Sequence, residues 1–334
     1  MSKYSIILPV RNGGSYVKEC VKSLQQQNHY DFDILILDNC STDGTREWIE
    51  SIQDHRIKIF SSDKPLTIEE NWSRILDVPK NEFITLIGHD DILQSDYLTT
   101  MDELISKYPD ASLYQTHFQY IDSDGKKIKD CKPMAEIETG TDFLKSFLQN
   151  RIDIMGTGFM MRSKDYDEIG GLPDYPNLLF ADFELWMNLT KKTFKATSQK
   201  NCFSFRLHVS TTTSSSDIKM QKAFERFVYY LSTLKQESPE YNELLNKYGE
   251  DFIRVNCKGL SHRLIRTPFE NRQGLTVATF VKKCKQYADL LIQNNQFDPI
   301  SIPSIKFAAY IDSSTIGRSL FLLFKKLFPN PILK

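Results

Sequence analysis

Two adjacent carboxylates, Asp90 and Asp91, follow the predicted strand at 82–87 after Gly88 and His89. In an open parallel sheet, the carboxyl ends of the strands form the crevice that binds ligands, so we expect both side chains there. Carboxylate oxygens in such a place could hold Mg²⁺ or Mn²⁺ against a diphosphate. The alternative is that one of the two only caps the helix that follows.

A third acid, Asp182, begins a predicted helix that continues with the apolar pair Leu185 and Trp186. A carboxylate held in this way can accept the proton of a hydroxyl group as that hydroxyl attacks a substrate. The alternative is an ordinary first-turn acid that the helix dipole favours.

A histidine, His208, follows a predicted strand near 203–207 and precedes the Ser/Thr-rich loop 210–216. A neutral imidazole is a reasonable ligand for Mn²⁺ and a less natural one for Mg²⁺. A solvated or purely structural histidine is the alternative.

The elements that must position these side chains start with a strand, a helix and a strand between residues 4 and 45. Two apolar runs, 4–10 and 34–38, end in the polar loops 11–14 and 39–45. Between them, Val17, Cys20, Val21 and Leu24 repeat with the period of a helix. Strands and helices alternate to about residue 120, which predicts a parallel α/β sheet. Asp38, at the end of the second strand, is then well placed to meet a ribose or a base.

The later part of the chain predicts a hairpin turn at 122–125, a strand at 158–162 and a strand near 203–207. From residue 217 onward the pattern becomes helical. One helix is predicted to begin at Ser238 and Pro239 and to stop at Gly249. Residue 217 is therefore the predicted domain edge.

Charge and composition exclude several classes of protein. The 334 residues include 42 basic and 43 acidic side chains, so the formal net charge of -1 gives no reason to expect a nucleic acid partner. The six cysteines are widely spaced without a C-x-x-C pair, which is typical of reduced thiols in the cytosol. No signal pattern and no apolar run of the ~18 residues needed to cross a bilayer is visible. We therefore predict a cytoplasmic protein.

The segments Ser5-Ile-Ile-Leu-Pro-Val-Arg-Asn-Gly13 and Asp38-Asn-Cys-Ser-Thr-Asp-Gly-Thr45 resemble the opening of the inverting family-2 glycosyltransferases of GT-A fold, of the bacterial surface-polysaccharide type. Residues 179–186 resemble the family's segment that carries the acceptor base, and 205–210 its late histidine element. The resemblance covers residues 3 to about 215. It implies a Rossmann-like, mostly parallel sheet flanked by helices, with a C-terminal helical extension. In these terms 1–216 is the catalytic domain, with a nucleotide-binding half (1–120) and an acceptor half (121–216), and 217–334 is the helical region.

The resemblance also implies roles for single residues. The base is Asp182, and the metal ligands are Asp90, Asp91 and His208. The nucleotide-binding residues are Pro9, Val10, Arg11, Asp38, Asn71, His89 and Asp90, and the donor and acceptor loop residues are Gly156, Thr157, Gly158 and Glu184. Three alternatives stay open: Asn71 as an exposed helix amide, Asp38 as a helix cap, and 155–158 as a simple turn.

Two motif positions differ from the family. Gly88 replaces the first acid of the metal motif and Ala181 the first acid of the base motif, which leaves Asp90 as the principal protein ligand.

The expected activity is transfer of a sugar from a nucleoside-diphosphate sugar, most simply a UDP-sugar, to a hydroxyl of a glycan or lipid-linked acceptor. The resemblance implies inversion, surface-polysaccharide synthesis and a divalent cation, Mn²⁺ or Mg²⁺. One alternative is a catalytically decayed protein that only binds sugar nucleotides or acts as a scaffold. Another is a nucleotidyltransferase, although Arg11-Asn-Gly-Gly14 is poor in the basic residues that such a loop needs.

The tail at 314–334 combines bulky apolar residues with Arg318, Lys325 and Lys326. A basic amphipathic segment too short to span would lie in the interface of an anionic membrane. This pattern predicts peripheral contact with the inner face of the cell membrane. The alternative is a helix packed on the catalytic domain or on a second subunit of a homodimer.

Overall fold

The computed structural model describes residues 2–208, 215–293 and 296–328. The chain divides into two compact units. Unit 1 comprises Met1–Phe143, Arg151–Asp174 and Ala181–Val209, and unit 2 comprises Leu144–Asn150, Tyr175–Phe180 and Ser210–Lys334. Two short segments, Leu144–Asn150 and Tyr175–Phe180, therefore belong to unit 2 although they lie between segments of unit 1 in the sequence. The functional halves 1–120 and 121–216 stay a prediction.

Unit 1 contains a single mixed sheet. In chain order, the strands within the described ranges are β1 (Tyr4–Val10), β2 (Phe32–Asp38), β3 (Ile57–Ile59), β4 (Phe83–Leu86), β5 (Ile92–Leu93), β6 (Leu113–Ile121), β7 (Lys127–Asp130), β8 (Ile137–Glu138), β9 (Phe159–Arg162) and β10 (Lys195–Arg206). The sheet order is β3-β2-β1-β4-β9-β6-β10-β5, with β7 paired to β6 and β8 paired to β10.

The parallel half of the sheet confirms the predicted α/β pattern. β1 pairs in parallel with β2 and β4, and β2 pairs in parallel with β3. All seven residues of β1 are buried, as expected for a strand covered on both faces. The predicted helix face formed by Val17, Cys20, Val21 and Leu24 is buried as well.

The other half of the sheet is mixed. β9 runs antiparallel between β4 and β6, whereas β10 runs parallel to β6. The predicted turn at 122–125 joins β6 to β7, and the backbone N–H of Asp122 donates to the carbonyl of Lys126 at 2.9 Å. The two-residue strand β5 begins directly after Asp91 and pairs with β10. These strands fix both ends of the turn at 88–91.

The helices within the described ranges are α1 (Gly14–Gln25), α2 (Thr45–Glu50), α3 (Ile68–Ser73), α4 (Tyr97–Lys107), α5 (Gly140–Leu148), α6 (Ser163–Glu168), α7 (Ala181–Thr190), α8 (Asp217–Glu237), α9 (Pro239–Leu264), α10 (Val277–Leu291), α11 (Pro303–Asp312) and α12 (Thr315–Leu327). None of these helices has the length and apolar character needed to cross a bilayer.

One predicted helix end is wrong. α9 begins where expected, with the Ser238 hydroxyl accepting from the backbone N–H of Tyr241, but it continues through Gly249 to Leu264. A Cβ atom at Gly249 would lie 3.0 Å from Cγ2 of Ile292. The glycine at this position therefore allows close packing inside the helix and does not end it.

Candidate functional site

The turn at 88–91 brings two of the predicted metal ligands together. Oδ2 of Asp90 lies 2.5 Å from Nε2 of His208, and both side chains are about one-fifth exposed. His208 also packs against the ring of Tyr16, with 5.2 Å between the ring centroids. A carboxylate oxygen and an imidazole nitrogen are thus paired at the end of β10.

The neighbouring carboxylate, Asp91, points into the protein and is buried. Its Oδ2 accepts a hydrogen bond from the Thr157 hydroxyl at 2.7 Å, and its Oδ1 accepts from the backbone N–H of Arg206 at 3.0 Å. Burial, and after it the charge of Asp90, raises the pKa of Asp91. Since both oxygens are engaged, this geometry favours a positioning role, and metal ligation by Asp91 stays a prediction.

Gly88, which stands where the family has an acid, lies directly beneath these carboxylates. A Cβ atom there would lie 2.6 Å from Oδ1 of Asp90 and 3.2 Å from Oδ2 of Asp91. The glycine therefore leaves room for the Asp90 carboxylate in its present position. His89, in the same turn, is largely desolvated, which lowers its pKa.

Arg206 connects the turn to two other parts of unit 1, α1 and the β6–β7 hairpin. Its Nε donates to the carbonyl of Asp90 at 2.8 Å, Nη2 donates to Oε2 of Glu19 at 2.6 Å, and Nη1 donates to the carbonyl of Ser123 at 3.0 Å. The guanidinium also lies 4.6 Å from the ring centroid of Tyr16. The sequence analysis assigned this arginine no role. The available signal was its place two residues before His208.

The nucleotide-side residues lie at the ends of β1 and β2. Pro9 and Val10 are buried in β1, and Val10 pairs with Asp38. The Asp38 carboxylate is buried and accepts from the backbone N–H of Ser41 at 3.4 Å. Arg11 is exposed and donates to the carbonyl of Leu66 at 3.4 Å. Pro9, Val10, Arg11 and Asp38 thus lie at one edge of the sheet.

The loops that follow β1 and β2 are joined through Asn12. Its backbone N–H donates to the Ser41 hydroxyl at 2.9 Å, and its side-chain oxygen accepts from the backbone N–H of Thr42 at 2.8 Å. The two polar loops therefore hold each other at the sheet edge.

Asn71 is buried, so the alternative of an exposed helix amide is wrong. Its Oδ1 accepts from Nη1 of Arg74 at 2.9 Å, and the same guanidinium donates to the carbonyls of Asp38 and Phe60. Burial lowers the pKa of Arg74. Sequence reasoning missed Arg74, although its spacing of three residues from Asn71 on a helix was a usable signal.

The segment 155–158 connects the turn to α7. Thr157 bonds to Asp91, as described above, and the carbonyl of Met155 accepts from Nε1 of Trp186 at 2.9 Å. Gly158 has a φ of +79°, and a Cβ atom there would lie 2.7 Å from the ring of Phe203. A Cβ atom at Gly156 would lie 3.8 Å from Cβ of Asp182. One segment thus contacts both predicted chemical centres.

Asp182 lies in the first turn of α7, where its Oδ1 accepts from the backbone N–H of Phe183 at 2.8 Å. Burial raises the pKa of Asp182 to about 6. The carboxylate is thus more basic than an ordinary aspartate and is still ionised at pH 7. Glu184 lies partly exposed in the same turn.

The predicted cation ligands that the structure brings together are Asp90 and His208. Among residues 2–208, 215–293 and 296–328, no third histidine, cysteine or acid completes a metal cluster with them. One oxygen and one nitrogen donor fit a cation that takes its remaining ligands from a bound diphosphate and water, and the mixed set suits Mn²⁺ better than Mg²⁺.

The sequence that forms this fold matches a known protein family. Residues 5–170, about half of the chain, match the family described as Glycosyl transferase family 2. The chain belongs to this family.

Three relatives show how far the sequence similarity extends. Glycosyltransferase GlyG of Streptococcus pneumoniae is 25% identical over 123 residues, which cover 36% of this chain and 41% of GlyG. The putative teichuronic acid biosynthesis glycosyltransferase TuaG of Bacillus subtilis is 24% identical over 221 residues, which cover 65% of this chain and 84% of TuaG. The GalNAc(5)-diNAcBac-PP-undecaprenol beta-1,3-glucosyltransferase of Campylobacter jejuni is 33% identical over 104 residues, covering 30% and 34%. The chain thus spans less than half the length of two of these proteins.

Solved structures confirm the predicted GT-A fold. S. aureus TarS 1-349, in complex with UDP-GlcNAc, aligns over 97% of this chain and 92% of its own, with 15% identity and a TM-score of 0.63. The mannosyltransferase PcManGT from Pyrobaculum calidifontis, in complex with GDP-Man and Mn²⁺, aligns over 97% and 88%, with 11% identity and a TM-score of 0.51. At these identities the similarity concerns the fold alone.

Proposed function

We propose that this protein transfers a sugar from a nucleoside-diphosphate sugar to a hydroxyl group, with inversion, and that Asp182 is the base. The observation that carries the proposal is the segment 155–158. In this segment Thr157 donates a hydrogen bond to Asp91, which neighbours the predicted cation ligand Asp90. Met155 accepts a hydrogen bond from Trp186 of α7, and Gly156 lies close to Asp182. These contacts support the inference that the turn at 88–91 and Asp182 belong to one site.

In the proposed reaction, the Asp182 carboxylate accepts the proton of the acceptor hydroxyl. The acceptor oxygen forms a bond to the anomeric carbon, while the bond from that carbon to the diphosphate oxygen breaks. The diphosphate leaves with the electron pair. A single displacement of this kind inverts the anomeric carbon and needs no protein nucleophile. The raised pKa of Asp182 makes it a better proton acceptor than an ordinary aspartate.

Asp90 and His208 would hold the divalent cation, Mn²⁺ or Mg²⁺. When bound, such a cation neutralises the charge that develops on the leaving diphosphate. Asp91 would hold the turn at 88–91 in place through its hydrogen bond from Thr157. Arg206 would do so through its ion pair with Glu19. This division of work leaves Asp90 as the principal carboxylate ligand.

The donor is proposed to be a UDP-sugar and the acceptor a glycan or lipid-linked glycan of a surface polysaccharide. TarS binds UDP-GlcNAc, TuaG is named for teichuronic acid biosynthesis, and the Campylobacter enzyme is named for an undecaprenol-linked glycan. Asp38, Asn71 and Arg74 would bind the nucleotide at the edge of the sheet. The predicted cytoplasmic location and the homodimer stay predictions.

The scaffold alternative has less support from the site. Gly88 accommodates the Asp90 carboxylate, and Asp182 keeps a basic carboxylate next to Ala181, so the two motif departures do not remove the proposed chemistry.

A thermal-shift screen of UDP- and GDP-sugars with and without Mn²⁺ tests the proposal. We expect one nucleotide sugar to raise the melting temperature, since a ligand at 100 times its Kd stabilises a protein by about 2.7 kcal/mol. Mn²⁺ should enlarge the shift in the wild type and not in Asp90→Ala. Binding without any release of the nucleoside diphosphate would favour the scaffold, and no binding at all would contradict both.

A further inference from the structure

The last two described helices expose a continuous set of large apolar side chains. We call Tyr310, Ile316, Leu320, Leu323, Leu327 and Phe328 the α11–α12 apolar surface. Tyr310 is 77% exposed, Ile316 74% and Leu327 66%. None of the 13 residues of α12 is buried. Contiguous apolar patches of this kind mark interaction sites, because folded proteins otherwise cover them.

α12 makes polar contacts at its beginning. The Ser314 hydroxyl accepts from the backbone N–H of Gly317 at 3.0 Å, and Nη1 of Arg318 donates to the carbonyl of Asp312 at 2.5 Å. The Arg318 guanidinium also lies 4.5 Å from the ring centroid of Phe269. The helix therefore has a defined attachment within unit 2 that does not use its apolar face.

The exposed charged residues of the segment that forms this surface are positive. Between residues 299 and 328 the only acid is Asp312, which is buried and bound by Nη1 of Arg272 at 2.6 Å. The same stretch contains Lys306, Arg318, Lys325 and Lys326, of which Lys306 and Lys326 are exposed. An exposed apolar surface on a segment whose exposed charges are positive is complementary to an anionic lipid headgroup layer.

We propose that the α11–α12 apolar surface docks on an anionic membrane and lies in its interface. A helix of 13 residues is roughly 20 Å long, which is too short to span a hydrocarbon core of about 30 Å. A second copy of the chain fits less well, because a twofold interface would bring the same positive charges face to face. Of the predicted contact segment 314–334, residues 329–334 lie outside the described residues. The proposal does not depend on the proposed function, because lipid binding requires neither donor nor acceptor.

Flotation of the full chain with two kinds of vesicle tests the proposal: phosphatidylcholine alone, and phosphatidylcholine with one quarter phosphatidylglycerol. We expect binding to the phosphatidylglycerol vesicles that weakens as salt rises. The double substitution Leu320→Glu with Leu327→Glu should lower binding about tenfold or more. Val255→Glu is the matched control, because Val255 is 68% exposed on α9, outside this surface, and should leave binding unchanged.

If the variant with both Leu320→Glu and Leu327→Glu does not fold, a charge reversal at a single exposed lysine tests the proposal instead. Lys326→Glu should weaken binding to phosphatidylglycerol vesicles, whereas Lys247→Glu, an exposed lysine on α9, should not. Failure of the wild type to float with either vesicle overturns the proposal. So does equal binding by wild type and Lys326→Glu. Light scattering that shows a dimer, dissociated by the Leu320→Glu and Leu327→Glu pair, together with no vesicle binding, would assign the surface to a second copy instead.

Discussion

At the scale of single residues, Asp182 combines two properties with opposite effects. Burial raises its pKa to about 6, which makes it a better proton acceptor. The same burial disfavours the ionised form of the folded protein, since the carboxylate exchanges water for fewer hydrogen bonds. Catalytic strength at this position therefore costs stability.

The first prediction concerns the pH dependence of the reaction. A base must be deprotonated to accept a proton, so kcat/KM should rise as the pH increases through about 6 and level off above it. Initial rates with the nucleotide sugar found by thermal shift, between pH 5 and pH 8.5, measure this profile. A rate that stays flat across pH 6 would argue against Asp182 as the base.

The second prediction concerns stability. The pKa of Asp182 is raised from 3.8 to about 6 on folding, so the folded state binds the proton more tightly than the unfolded state. The resulting destabilisation is absent below about pH 4, grows between pH 4 and pH 6, and is complete above pH 6. Asp182→Asn should therefore increase the free energy of unfolding at pH 7.5 by about 1–3 kcal/mol.

Urea denaturation of wild type and Asp182→Asn at several pH values checks this prediction. The gain should shrink as the pH falls from 6 towards 4. Asp31→Asn, an exposed acid in the loop before β2, is the control and should change stability by less than about 0.5 kcal/mol. An Asp182→Asn protein that is less stable than wild type at pH 7.5 would contradict the sign.

At the scale of elements, the turn between β4 and β5 depends on the end of β10. Arg206 holds this turn, the beginning of α1 and the β6–β7 hairpin through one guanidinium. Removing Arg206 takes the guanidinium donor away from the carbonyl of Asp90 and from the carboxylate of Glu19. The position of Asp90 should therefore depend on Arg206 even though Arg206 is not a proposed ligand.

Arg206→Ala should lower the free energy of unfolding by about 2–3 kcal/mol, because it removes a buried charged donor from several acceptors. The apparent affinity for Mn²⁺ in the presence of nucleotide should fall as well. Arg46→Ala is the matched control, since Arg46 forms only an exposed ion pair with Glu50 and should cost less than about 1 kcal/mol. Equal effects of the two substitutions would show that Arg206 does not hold the turn.

The glycine at 158 gives the fourth prediction. Gly158 and Gly170 have φ values of +79° and +81°, but only Gly158 faces a ring, that of Phe203, within 3 Å of an added Cβ. Gly170→Ala should cost about 1 kcal/mol for its backbone conformation alone. Gly158→Ala should lower the free energy of unfolding by about 1–3 kcal/mol more than Gly170→Ala, because its Cβ would overlap the ring of Phe203. Similar melting temperatures for the two variants would contradict the close contact with Phe203.

Local patterns explain which elements could be predicted. β1, β2 and α1 have apolar periods that depend only on neighbouring residues, and their predicted positions are confirmed. β9 was predicted as a strand, but its antiparallel place between β4 and β6 depends on pairing between distant segments, which leaves no period in the sequence. The stop at Gly249 was wrong for a related reason, since packing against Ile292 decides that position.

The site shows the same limit. Asp90 and His208 could be predicted as neighbours from the resemblance, and Oδ2 of Asp90 lies 2.5 Å from Nε2 of His208. The burial of Asp91 beside the partly exposed Asp90 could not be predicted, because an irregular turn has no fixed alternation of side chains. Arg206 and Arg74 each donate to two or more backbone carbonyls, and a sequence pattern does not reveal which carbonyls lack another donor.

At the scale of the whole molecule, the family match ends at residue 170, whereas Asp182, Arg206 and His208 lie beyond it. The proposed activity therefore depends on residues from both the matched segment and the segment that follows. Asp90 lies in the matched segment 5–170, and Asp182 lies in the segment that follows it. A test of the function has to change one residue in each.

The most direct measurement is the rate of nucleoside-diphosphate release in the presence of acceptor, combined with the Mn²⁺-dependent thermal shift, for wild type, Asp90→Ala and Asp182→Asn. Asp182→Asn should lower turnover by roughly 10²–10⁴ while the thermal shift with nucleotide sugar and Mn²⁺ stays unchanged. Asp90→Ala should lose both turnover and the contribution of Mn²⁺ to the shift. Turnover within about tenfold of wild type in Asp182→Asn, a barrier change of only ~1.4 kcal/mol, or a loss with Glu184→Gln in its place, would contradict the assignment of Asp182 as the base.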